Sequence, residues 1–162
     1  AMKYRCIIPV SYFVEGPKVA KLSEPYIIRR IDKAPIPLAG FFSWIEGVKH
    51  VAIITTPASD LLLKGVGHHR SPMIVDEDNE GLWLDQQAPK EELEQLFGRF
   101  DSKPFEAVAV SKKISSPNRS DRPNSSKDML NPVGDTMRMN SKGEITYVQN
   151  EIKTEGGQAS LF

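Results

Sequence analysis

Arg5-Cys6-Ile7-Ile8-Pro9-Val10-Ser11-Tyr12-Phe13-Val14-Glu15-Gly16 is an almost wholly apolar run that ends on a single carboxylate. Its β-branched and aromatic residues read as a strand. Residues 25–31, 36–46 and 50–56 repeat that composition, separated by Gly, Pro or Lys turns. Glu46-Gly47-Val48-Lys49, between two such runs, signals a hairpin. Leu61-Leu62-Leu63 after Ser59-Asp60 predicts a short helix stopped at Gly65, and Pro89 to Phe97 predicts a longer one. In the longer one Leu93, Leu96, Phe97 and Phe100 recur at helical spacing. Phe105 to Val110 reads as a strand, Ser111 to Asn131 as polar loop, and Glu144 to Gln149 as a returning strand. The implied fold class is α+β: a mostly antiparallel, strongly twisted sheet or open barrel with a few peripheral helices. Residues 1–150 read as one domain and 151–162 as a tail freed by Gly156-Gly157.

Twenty-one basic and twenty-one acidic residues balance, so any nucleic-acid contact is a local patch rather than a basic coat. One cysteine, Cys6, excludes an intrachain disulfide and a multi-cysteine metal cluster and suits a reducing cytoplasm. No stretch is long and apolar enough for a membrane span, and no signal peptide is visible, so a soluble cytoplasmic protein is the expectation. No cofactor motif is present. The two adjacent imidazoles His68 and His69 diverge on an extended chain, and with only His50 as a third they argue against a metal.

Gly67-His68-His69-Arg70-Ser71-Pro72 places imidazoles and a guanidinium on a turn closed by proline. With Glu15 they offer an acid, a base titrating near neutrality and a fixed cation, the parts for proton transfer on an anionic substrate. On residue type alone Glu15 reads first as a solvent-facing strand end, and His68 and His69 as surface turn residues. Arg70 can simply anchor the turn, and Thr55 reads first as an ordinary strand former.

Eight segments in order resemble the SRAP (SOS response-associated peptidase) family, whose members guard abasic sites in single-stranded DNA. They are Arg5 to Pro9, Phe13-Val14-Glu15, Pro25-Tyr26, Leu38-Ala39-Gly40-Phe41, Ile53-Ile54-Thr55-Thr56, Gly67 to Pro72, Trp83-Leu84-Asp85 and Val110-Ser111-Lys112. The resemblance runs from about residue 4 to about residue 118. It implies that Glu15 is the active-site glutamate and that His68, two residues before Arg70, is the general acid or base on the sugar. It also implies that Arg70 meets a phosphate and Thr55 the abasic sugar, with single-stranded or abasic DNA as partner and a peptidase activity as the family description. Family members begin Met-Cys-Gly-Arg, and the exposed cysteine captures the abasic aldehyde with its amine and thiol together. This chain begins Ala1-Met2-Lys3-Tyr4-Arg5, with Ala1 reading as a cloning remnant, so the nucleophile is not among these residues. Cys6 has its nitrogen in a peptide bond and reads as core. No stable crosslink is therefore expected from these residues alone. The alternative is a non-covalent DNA-binding module.

Gln158-Ala159-Ser160-Leu161-Phe162 resembles the pentapeptide by which bacterial proteins dock on the replication sliding clamp, with Gln158, Leu161 and Phe162 as the contacts. Folding back of Leu161 and Phe162 onto the domain is an equal reading. Lys112, Lys113, Arg119, Arg122 and Lys127 make the loop basic, diluted by Asp121 and Asp128.

Overall fold

The computed structural model describes residues 4–115 and 127–150. The tail with Gln158, Leu161 and Phe162, and the loop residues Arg119 and Arg122, lie outside the described residues.

The opening run is two strands, not one. β1 (Arg5–Val10) and β2 (Phe13–Glu15) part at Ser11-Tyr12 and join different sheets. β3 (Tyr26–Arg30) pairs antiparallel with β2. β4 (Ile36–Ile45) lies between β1 and β5 (Val48–Ile53) in a three-stranded sheet. β6 (Thr55–Pro57) and β7 (Arg70–Pro72) form a two-stranded ribbon. β8 (Phe105–Val110), β9 (Pro132–Met139) and β10 (Ile145–Val148) complete the second sheet, ordered β10-β9-β8-β3-β2. Every strand pairing among the described residues is antiparallel, and the sheets are not closed into a barrel. Two short helices, α1 (Glu80–Leu84) and α2 (Lys90–Glu94), lie outside the sheets, so the class is α+β as expected. No described helix is long and apolar enough to cross a membrane.

Local chemistry explains the junctions. Pro9 faces Pro37 across β1 and β4. The Ala39 N–H, two residues on, points instead to the Met73 carbonyl, so Pro37 occupies the alternate kind of pair that needs no ladder donor. Glu46 (φ 51°) and Gly47 (φ 78°) both take positive φ, as a two-residue hairpin turn that preserves strand twist requires. The turn Leu61–Val66 runs past Gly65 and stops at Gly67, which takes φ 78° and returns its N–H to Leu62. Glycine carries that left-handed stop without a Cβ clash. α2 is shorter than the apolar spacing predicts: after Glu94 the chain tightens through Gln95 to Gly98.

The main core lies between one face of the five-stranded sheet (Ile28, Ala107, Met137), the start of β4 (Ile36, Leu38) and the Leu61-Leu62-Val66 turn. A second core packs Ala39, Met73, Val75 and Leu93 around Trp83. Arg5 is buried beside it, donating to the carbonyls of Trp83 (2.6 Å) and Asp85. The arginine of the Arg-Cys segment thus closes the C-terminal end of α1. Cys6, the next residue on β1, is half-buried, and burial pushes its thiol up, keeping it neutral.

Gly40 sits on β4, where β1 and β5 close on it from either side. A Cβ there would lie 2.8 Å from Ile8 Cδ1 and 2.9 Å from the Ala52 carbonyl oxygen. Backbone cannot yield as a side-chain tip does, so Gly40→Ala is expected to lose about 1–3 kcal/mol in urea unfolding. A loss below about 0.5 kcal/mol would show that the sheet relaxes freely there.

Candidate active site

Glu15 ends β2, opposite Tyr26 and on the side of the sheet where Phe13 joins the main core. The chain then turns through Gly16 and Pro17, and the Lys18 N–H bonds the Gly67 carbonyl (3.1 Å). That single backbone bond brings the end of β2 against the residue preceding His68. His68 Nδ1 lies 2.7 Å from the Gly16 carbonyl oxygen. Because a carbonyl only accepts, Nδ1 carries a hydrogen and the tautomer is set. Nε2 then faces Glu15 Oε2 at 3.5 Å, with both side chains about three-quarters buried (23% exposed each).

An imidazole lone pair and a carboxylate facing each other repel, so this geometry is favourable when one proton sits on the pair. Burial pushes the Glu15 carboxyl up, and the His68 charge draws it part of the way back. A buried acid beside an imidazole whose far nitrogen is locked can hold a proton and release it to a bound group.

Arg70 and Thr55 form a second pair, the Arg70 side chain reaching diagonally across the β6–β7 ribbon from opposite Pro57 to Thr55. Arg70 donates Nε to Thr55 Oγ1 (2.9 Å) and Nη2 to both Thr55 Oγ1 and the Thr55 carbonyl (2.6 Å each). Both side chains remain exposed. Thr55 therefore aims a guanidinium whose Nη1 has no partner among the described residues. The anchoring expected of a turn arginine is present, and it leaves outward donors for an anion.

The sequence singled out these four residues, and the structure brings them together in two pairs joined by the segment 67–70. It did not single out the Gly16 carbonyl, which orients His68, or Lys18. The His69 ring stands 5.2 Å from that of His68. Loss of solvation lowers the His69 pKa, helped by the charges of Lys18, His68 and Arg70. The site is therefore rimmed by Lys18 and Arg70, and Lys18 carried no sequence signal beyond its nearness to Glu15. Among the described residues no group of three His, Cys, Asp or Glu converges as a metal site. Lys112, Lys113 and Lys127 lie exposed on two 3-10 turns, Lys112–Ser115 and Lys127–Leu130.

An open antiparallel α+β scaffold carrying an acid–imidazole pair beside an anchored guanidinium defines the class. Residues 1–117 match the family model for SOS response associated peptidase (SRAP), and the chain belongs to that family. The family's description names a peptidase associated with the SOS response. A crystal structure of a protein from Bacteroides thetaiotaomicron is 26% identical, with TM-score 0.66, covering 82% of this chain and 58% of that one. A second, from Bordetella bronchiseptica, is 23% identical with TM-score 0.55, covers 67% and 55% respectively, and is similar in fold alone. The chain thus spans a little more than half the length of these two structures. No curated protein matches it.

Proposed function

We propose that the chain handles abasic sites in single-stranded DNA, with the Glu15–His68 pair moving the proton at the abasic sugar. Arg70, aimed by Thr55, meets an adjacent phosphate. The observation that carries this reading is the pairing of Glu15 with His68, whose far nitrogen is locked by Gly16. In the family form, an N-terminal cysteine's amine adds to the sugar aldehyde, water leaves, and the thiol closes a thiazolidine. The departing hydroxyl needs a proton and the attacking amine must lose one. A pair that shares one proton serves both steps. The same pair would assist the peptidase chemistry in the family's description, by protonating a leaving amine.

Binding tests the Arg70 role. Fluorescence anisotropy with a single strand bearing a stable abasic analogue should show Arg70→Ala weakening affinity about tenfold. The slope of log affinity against log salt should flatten by about 0.7, one phosphate contact on single-stranded DNA. Equal affinity and slope would remove Arg70 from the site.

A second reading adds recruitment to the sliding clamp through Gln158, Leu161 and Phe162, favoured by the pentapeptide sequence beyond Gly156-Gly157. Burying Leu and Phe provides roughly 3–6 kcal/mol before ordering costs, so a peptide of residues 158–162 should bind a bacterial clamp at micromolar concentration. Absence of binding at high micromolar clamp would retire it.

A further inference from the structure

On β8, one residue before the core-facing Ala107, Glu106 points to the opposite face of the sheet and is only 1% exposed. Its register partners are Arg29 on β3 and Arg138 on β9, so three charged side chains share that face. Arg29 Nε donates to Oε1 (2.7 Å), and Arg138 Nε and Nη2 donate to Oε2 (3.0 and 2.6 Å). Lys33 Nζ adds a fourth bond to Oε1 (2.9 Å) from a residue held at φ 65°, a backbone region costly for lysine.

One carboxylate needs one cation. Here three converge on it, leaving a fixed local charge of three minus one, or +2. Mutual repulsion among the three is offset only in part by Glu106, and an external anion completes the balance. Their outward sides are open: the side chains of Arg29, Lys33 and Arg138 are 32%, 58% and 38% exposed. Among the described residues both Nη atoms of Arg29 and Nη1 of Arg138 have no partner. Two guanidinium edges and an ammonium, held from behind by a buried carboxylate, match phosphate oxygens in number and geometry.

We propose that Arg29, Lys33 and Arg138, set by Glu106, form a second phosphate-binding subsite that takes the backbone of nucleic acid reaching past the first site. It rests on the proposed binding of single-stranded DNA and not on the chemistry of Glu15 and His68. Glu15 pairs with Tyr26, three residues from Arg29 along β3 and on the other face. That is about 10 Å of strand plus the sheet's thickness, so a phosphate here belongs to a different stretch of the strand.

The double variant Arg29→Gln/Lys33→Gln keeps the Arg138 fork on Glu106. By anisotropy it should bind a strand of about 30 nucleotides five- to tenfold more weakly, with a salt slope shallower by about 1.4, while affinity for a strand of about 8 is unchanged. Should it fail to fold, Lys33→Gln, the most exposed of the three, carries the same test with about half the slope change. Unchanged long-strand affinity in a folded variant would overturn the proposal and leave a structural ion cluster. Shifts of the Arg29 and Arg138 Nε–H resonances with inorganic phosphate, without any DNA effect, would overturn the nucleic-acid assignment in favour of a small phosphate ligand.

Discussion

Trp83→Ala is expected to cost about 3–5 kcal/mol of unfolding free energy, a large fraction of the about 5–15 kcal/mol that holds an ordinary domain. Trp83 is fully buried, with the rings of Phe41 and Phe97 at 5.9 and 6.3 Å and the Arg5 guanidinium 5.7 Å from its centre. Its Nε1 donates to the Cys6 carbonyl (2.9 Å), tying α1 to β1. Truncation leaves a large cavity, removes the bond that ties α1 to β1 and strips a buried arginine of its aromatic cover. The other tryptophan, Trp44, is 64% exposed and reports little on the core, so circular dichroism in denaturant is the proper measurement. A loss under about 1 kcal/mol would mean that this second core does not help hold the fold.

Glu106→Leu is the other large effect. Removing the anion leaves three cations facing one another over a buried apolar side chain. For a fully buried pair the loss is about 3–5 kcal/mol; the cations here are one-third to more than one-half exposed, so solvation reduces it to about 2–4 kcal/mol. The pH dependence has a definite sign. Burial alone pushes the Glu106 carboxyl up, but bonds from Lys33, Arg138 and Arg29 outweigh it and hold it at about 2 against an ordinary 4.5. A depressed carboxyl stabilises the fold fully above its unfolded value and loses that contribution as pH falls from about 4.5 towards 2. The difference between wild type and variant, measured by urea unfolding at several pH values, should narrow across that window. A constant difference would contradict the ion-pair account. Glu15 has the opposite sign: its carboxyl is raised, so its contribution is lost as pH rises through the folded value.

The apolar runs made most strands legible, because β-branched residues bounded by turn formers give a local signal. β9 was not legible. Pro132-Val133-Gly134-Asp135-Thr136-Met137-Arg138-Met139 has proline, glycine and aspartate where a strand predictor expects apolar residues. It is held by ladders to β8 and β10 on either side and by burial of Thr136, Met137 and Met139. Conversely, the runs 36–46 and 50–56 read as strands and are strands, yet their apolar composition does not bury them throughout: Trp44, Ile45, Val48, Val51 and Ile53 are exposed on the projecting hairpin. Composition makes a strand; its neighbours decide what it buries. Glu15 and His68 were legible as a pair only through the family resemblance, since their meeting depends on the backbone bond from Lys18 to Gly67. The Glu106 cluster needed the register of three strands, which no local pattern encodes.

The central claim is that the Glu15–His68 pair moves the proton at an abasic sugar. The one cysteine in these residues, Cys6, has its nitrogen in a peptide bond, so the aminothiol is supplied as a short peptide with an N-terminal cysteine. The rate at which that peptide joins a single strand carrying one abasic site is read on a denaturing gel, with and without the protein. The protein should accelerate joining, and Glu15→Gln or His68→Ala should each remove about 10²-fold of the acceleration while the strand still binds. Wild type that gives no acceleration, or variants as fast as wild type, would contradict the account.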